Sequence, residues 1–170
     1  MGGNNTSGGF GPILGFTDGN PLYLYSGNQR AMYLGVPHSA ANFGLQTASA
    51  PDIIAGSSSN TVAGAYCGAT IAGGGGTLNG IANPNIVSST FGTVGGGVGN
   101  RAGWPVPGLD TYSATVAGGS FNNAAGIGSV VSGGSNNTAS GHHSTIPGGT
   151  FNTASGANAY AAGSGAFAEH

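Results

Sequence analysis

The chain has 170 residues, of which only six are Lys, Arg, Asp or Glu, and its formal net charge is −2. Without a basic stripe to neutralise phosphates it is not expected to bind nucleic acid, nor anionic lipid through a polybasic contact. Its 37 glycines come in pairs fifteen residues apart rather than at every third position, which excludes collagen, and the fixed phase of its valines and isoleucines argues against disorder.

Residues 1–20 are rich in Gly, Asn, Thr and Ser and are expected to form a flexible lead, with a turn at Thr17-Asp18-Gly19-Asn20. This start has neither the basic end nor the apolar run of a signal peptide, and no stretch approaches the length of a membrane span. Residues 21–50 have a different pattern. Leu22 and Leu24 alternate with Tyr23 and Tyr25, and the two runs Leu22–Tyr25 and Arg30–Leu34 are joined by Ser26-Gly27-Asn28-Gln29, which predicts a β-hairpin. A lone hairpin is marginal in water, so it should pack on neighbouring chains or on the first rung of the repeats downstream. Residues 35–50 lack periodicity and read as a connector.

From residue 51 to 170 the chain repeats. The stretch Tyr112–Gly156 divides into YSATVAGGSFNNAAG, IGSVVSGGSNNTASG and HHSTIPGGTFNTASG. Each line carries a β-branched aliphatic, then Gly-Gly (Gly118-Gly119, Gly133-Gly134, Gly148-Gly149), then Asn at plus six (Asn122, Asn137, Asn152) and Ala at plus eight. Such a period marks one structural unit stacked on its copies. Upstream keys are Ile54, Ile71 and Val94, and Ala161 keys a weaker closing line, giving about seven rungs of about fifteen residues. Surplus residues fall at 75–89 and 104–111, and insertions in a solenoid must leave the stack as loops.

Within a line, neighbouring Thr115 and Val116 suit an extended strand whose alternation sends them to opposite faces. Ile54, Ile71, Val94, Val116, Val131 and Ile146 then form an inward column, and the Thr column faces out. Gly-Gly permits a sharp corner, and the Asn column can stack as a ladder of amides. The abundance of Gly, Asn, Ser and Thr disfavours helix. The expected class is therefore all-β, a parallel β-solenoid preceded by a hairpin. One Val or Ile plus one Ala per line buries little against the entropy of ordering fifteen residues, which favours several chains sharing one core. An oligomer is expected on that ground alone.

The lines TVAGGSFNNAAG, VVSGGSNNTASG and TIPGGTFNTASG, followed by AYAAGSGAFA, resemble the head repeats of trimeric autotransporter adhesins and of related trimeric bacterial and phage surface-fibre proteins. The segment NPLYLYSGNQRAMYL is similar to the one preceding such repeats in some of them. The resemblance implies a left-handed parallel β-roll and a homotrimer displayed on a cell or particle surface as a binding head. The two insertions and the longer fifteen-residue line depart from the family pattern, and these 170 residues are not expected to supply the coiled-coil stalk or membrane anchor that self-export would need.

No catalytic constellation is visible, so no enzyme activity, cofactor or metal is expected. Asp18, Asp52, Asp110 and Glu169 are isolated from one another, and the lone Cys67 excludes an intrachain disulfide. His142-His143 is the one suggestive pair, though adjacent histidines face different ways, and an exposed turn pair is preferred to a metal site. Arg101 and Trp104 are residue types that become binding hot spots on a rigid loop. Trp104 folding over Val106 and Leu109 is the competing arrangement. Candidate contact residues are thus Arg101, Trp104, Leu109, Asp110, His142 and His143. Phe121 and Phe151 share a column with Asn136 between them and are expected to serve core or inter-chain packing. The expected function is attachment of an extracellular surface or fibre head to a host protein, glycan or other surface. The alternative is a self-assembling structural filament. An ice-binding solenoid ranks third, because Val130, Tyr160 and both insertions break the Thr lattice.

Overall fold

A computed structural model describes residues 20–36, 38–43, 46–64, 66–104 and 112–170, with the backbone alone for 38–43 and 46–49. The expected lead and its turn therefore lie outside the described residues, except for Asn20. Among the described residues there are strands and no helix.

Strands β1 (Leu22–Ser26) and β2 (Gln29–Leu34) pair antiparallel around Gly27 and Asn28, whose φ values are 57° and 61°. Positive φ at both central residues suits the twist of a two-residue hairpin. The segment expected as a connector instead contains a second antiparallel pair, β3 (His38–Phe43) with β4 (Gln46–Ala50). Its Ala- and Ser-rich sequence has weak strand propensity, and backbone pairing supplies the order that propensity does not.

The remaining strands are short and alternate between two sheets. They are β5 (Ile53–Ala55), β6 (Thr61–Val62) and β7 (Thr70–Ile71), followed by the antiparallel pair β8 (Thr77–Leu78) and β9 (Ile81–Ala82). After them come β10 (Ile86–Val87), β11 (Thr93–Val94), β12 (Arg101–Ala102), β13 (Thr115–Val116), β14 (Asn123–Ala124), β15 (Val130–Val131), β16 (Thr138–Ala139), β17 (Thr145–Ile146), β18 (Thr153–Ala154) and β19 (Phe167–Ala168). One sheet runs β1-β2-β5-β7-β11-β13-β15-β17 and the other β6-β10-β12-β14-β16-β18-β19. From β5 and β6 onward every neighbour within these two sheets is parallel, with Val116 beside Val131 and Ala124 beside Ala139. That connectivity is compatible with a β-solenoid or β-roll. The hairpin closes its N-terminal side: β2 pairs antiparallel with β5, setting Tyr33 beside Ile54. Arg30 donates from Nη2 to the carbonyls of Ser58 (3.1 Å) and Asn60 (2.9 Å).

Thr115, Val130 and Thr145 are half-buried, whereas their neighbours Val116, Val131 and Ile146 are fully enclosed. The inward column is joined by Ala102, Ala124, Ala139 and Ala154 from the opposite sheet. All of this burial occurs inside one chain. The expectation that a thin core must be shared between chains is therefore not required by burial: each winding closes around its own Val or Ile, Ala and Asn.

The excursion at 75–89 is narrower than the sequence suggested. Ile71 and Asn85 are fourteen residues apart where Val116 and Asn122 are six apart, and the surplus is accounted for by 76–83. Gly76 O accepts from Asn83 N at 2.7 Å and closes the base of the β8–β9 hairpin, while Asn85, Ile86 and Val87 are back in the stack.

Burial pushes the Tyr33 phenol above its ordinary range, with Tyr23 and Asp52 adding to the rise and Arg30 opposing it. A raised folded-state pKa means stability that is present below the unfolded value of 10.0 and lost as pH rises through the folded value. Tyr33→Phe should accordingly flatten the alkaline end of a melting-temperature profile; an unchanged alkaline slope would remove Tyr33 from that role.

Gly-Gly turns discriminate sharply between their two positions. Gly119 has φ 85°, and a Cβ there would run into the Gly134 carbonyl of the next winding and sit 2.7 Å from Asn122 Nδ2, whereas one on Gly118 would meet nothing within 4 Å. Gly119→Ala should destabilise by more than about 2 kcal/mol and Gly118→Ala by less than about 0.5 kcal/mol, measured by urea unfolding. Equal losses would show that the corner is not packed this way.

Candidate functional site

Two regions differ in kind: the buried amide column that holds the windings, and the corner where the candidate contact residues emerge.

The column is made by Asn60, Asn85, Asn100, Asn122, Asn137 and Asn152, all 0–1% exposed. Sequence alone suggested amide stacked on amide, and two such bonds are present, from Asn137 Nδ2 to Asn122 Oδ1 and from Asn152 Nδ2 to Asn137 Oδ1, both at 3.1 Å. Backbone groups supply the other partners. Asn122 Nδ2 donates to Gly118 O (3.0 Å) in its own winding and to Gly134 O (2.9 Å) in the next. Its Oδ1 accepts from the backbone N of Asn137 at 3.1 Å, with Asn137 Nδ2 also at 3.1 Å. Asn137 repeats the pattern with Gly133, Gly149 and the backbone N of Asn152, and Asn152 passes it to Gly163 and the backbone N of Ala166. Asn60 and Asn85 extend it to the first windings. Both amide donors and the acceptor are thus used in a dry interior, where an orphan would be expensive. The Asn85 member was hidden by the excursion before it. The sequence NIVSS, set against NTASG and NNAAG, is the signal that could have found it.

Asn137→Ala would leave the Asn152 N–H and the Gly133 carbonyl without this partner, at a cost of about 3 kcal/mol. Asn137→Asp would instead bury a carboxylate facing two carbonyls and should cost more. Urea midpoints check both, and a wild-type midpoint for Asn137→Ala would contradict the role given to the column.

The candidate contact residues emerge at the corner between the seven-stranded sheet and the eight-stranded one. Arg101 faces outward on β12, half-buried between Ile86 and Asn123. Trp104 is 48% exposed at the foot of the 104–111 excursion. Leu109 and Asp110 lie outside the described residues, as does Val106, so the expected cap over Trp104 is not described. Tyr112 re-enters the stack by pairing with Thr90, and the backbone bonds Gly128 N→Tyr112 O and His143 N→Ile127 O carry its column onward to His142. His142 therefore stands two windings beyond the end of the excursion, about 10 Å along the axis. His143 occupies the next column at φ 57°, its ring lying over Gly128, where a Cβ would sit 2.6 Å from Nδ1. Trp104, His142 and His143 thus share a corner, with Arg101 on the adjoining face.

Among the described residues no group of three or more His, Cys, Asp or Glu could hold a metal ion. No helix among them is long and apolar enough to cross a membrane. Cys67 is buried. Phe121 and Phe151, expected to pack in a core or between chains, are not in this chain's core: they are 44% and 67% exposed. Comparison with protein-family models, with curated proteins and with solved structures finds no match for this chain.

Proposed function

We propose that this chain is the non-enzymatic head of a homotrimeric extracellular adhesin or surface fibre, a left-handed parallel β-roll of seven rungs that attaches to a host or other surface. The observation that carries it is the outward column Thr70, Thr93, Thr115, Val130 and Thr145. These side chains are uncharged, in register at one per winding, and half-buried. A face of small β-branched side chains repeating at the strand spacing can lie flat against a copy of itself around an axis. The resemblance of the fifteen-residue lines to trimeric adhesin heads supports the same arrangement. In this reading the regular windings are scaffold, and Arg101, Trp104, Leu109, Asp110, His142 and His143 present the contact surface at one corner. No step of chemistry is assigned to them.

Sedimentation equilibrium should give three times the 16.2 kDa chain mass. Trp104→Ala should weaken attachment to an immobilised host extracellular matrix without changing that mass. A stable monomer would sink the trimer, and undiminished attachment would sink the corner. A filament is the second reading, favoured by the exposure of Tyr160 (63%) and Phe167 (65%) in the last winding. Electron micrographs showing only dispersed particles at high concentration would dismiss it.

A further inference from the structure

Two of the exposed aromatics, Phe121 and Phe151, lie along a second corner, opposite the one that carries Phe91, Trp104 and His143. Backbone bonds Phe121 N→Val98 O, Asn136 N→Ser120 O, Phe151 N→Ser135 O and Gly165 N→Thr150 O place Gly99, Phe121, Asn136, Phe151 and Gly165 in one column. Phe121, Asn136 and Phe151 all have positive φ, at 54°, 55° and 57°. Asn adopts this region readily, but a phenylalanine is held there at a cost of about 1 kcal/mol or more. The same φ recurs at the other corner on Phe91, Ser113 and His143, so the conformation belongs to the turn; what asks for a reason is phenylalanine, and not asparagine or glycine, at two exposed positions of this column.

The ring of Phe121 lies on the backbone of the preceding winding. A Cβ on Gly99 would come within 2.7 Å of its Cδ1 and Cε1, so only glycine leaves room for it. With one ring face against Gly99 and 44% of the residue exposed, Phe121 is a platform rather than a plug. Beside the column runs a row of hydroxyls. Ser120 Oγ donates to Ser135 Oγ (3.1 Å), Asn136 Nδ2 donates to Ser135 Oγ (2.8 Å), and Thr150 Oγ1 donates to Ser164 Oγ (3.2 Å). Neither the aromatic column nor the hydroxyl row contains a charged residue.

We infer that this corner binds a neutral, extended glycan of β-1,4-linked hexoses. A sugar ring has an apolar face of C–H groups and a rim of hydroxyls. Phe121 and Phe151 meet the first, and Ser120, Ser135, Asn136 and Thr150 meet the second. An apolar peptide or a lipid surface would take the exposed Asn136 and Thr150 out of water while offering them no new hydrogen bonds, and an anionic polymer would find no cation. Phe121 and Phe151 stand two windings apart, about 10 Å at the usual strand spacing. In an extended β-1,4 chain every second sugar presents the same face, so the two platforms are spaced as one disaccharide, with Asn136 opposite the sugar between. This site takes a defined ligand class on a surface separate from the attachment corner, and it depends on the register of one chain rather than on the trimer.

The test is electrophoresis of the full chain through native gels containing hydroxyethyl cellulose, with dextran gels as the α-linked control. Phe121→Asn and Phe151→Asn are suitable variants, because Asn136 already occupies the same column at the same φ. Wild type should be retarded by hydroxyethyl cellulose and not by dextran. Each variant should lose roughly three- to tenfold in affinity, with melting unchanged or raised because asparagine relieves the backbone strain, and the double variant should migrate freely. Equal migration of wild type in both gels, or retardation of the double variant like wild type, would overturn the site. Should either variant fail to fold, ring-proton shifts of Phe121 and Phe151 on adding cellohexaose to wild type decide the matter: movement supports the site and none overturns it. A monomer that is retarded would retract the trimer and keep the site, and an unretarded trimer would do the reverse.

Discussion

The hydrogen bonds of one side chain per winding, the buried asparagine, are the constraint on which the rest of the structure depends. A line of fifteen residues contributes one aliphatic side chain and one alanine to its interior, too little to order the chain by burial alone. The amide adds bonds that run both within a winding and between windings: to the first glycine carbonyl of its own pair, to the second glycine carbonyl of the next, and from the next backbone N–H. In a dry interior these bonds are worth more than they would be in water, because the alternative is an unsatisfied group. They also help set the register, since slipping the winding of Asn60, Asn85 or Asn152 by one residue in either direction would put a side chain in the column that cannot bridge two carbonyls.

The asparagine column and the glycine pairs are one device. Gly119 must have positive φ for its carbonyl to reach the amide of Asn100, and it must lack a Cβ for Gly134 to approach from the next winding. Once those positions are taken, extra residues can leave only at corners. The β8–β9 hairpin departs after Gly75 and the chain is back in the stack at Asn85, while on the far side of the insertion at 104–111 Tyr112 pairs with Thr90. The same logic governs the corners proposed to carry function. Side chains in the strands are fixed by neighbours on both sides, whereas Trp104, His142, Phe121 and Phe151 project where the backbone turns.

Much of this was legible in the sequence because a fifteen-residue period translates directly into stacking. Val116, Val131 and Ile146 recur at fixed intervals and are enclosed together, and their threonine or valine neighbours face out. The hairpin at Leu22–Leu34 was legible from its alternation and its Gly-Asn turn. The β3–β4 pair was not, because alanine and serine carry little strand signal and its pairing is a matter of backbone. Asn85 was hidden by the eight residues inserted before it. The closing of the interior within one chain was missed for a different reason: counting apolar side chains treats asparagine as surface, and here it is core. The ring of Phe121 lying on Gly99 is likewise a contact across windings that sequence separation conceals. Of the corner residues, sequence supplied the chemical types of Arg101, Trp104 and His142, but their gathering on one side comes from the register.

Among the described residues the stack of windings is nearly uncharged, encloses a column of buried amides, and carries exposed aromatic and imidazole side chains at its corners. Amide hydrogen exchange tests its central claim most directly, read at the backbone N–H groups of Asn100, Asn122, Asn137, Asn152 and Ala166, each bonded to the side chain of the preceding asparagine. If the column holds the windings together, these amides exchange only through global unfolding and rank with the slowest in the chain. Exchange at the rates of unprotected peptides would contradict it.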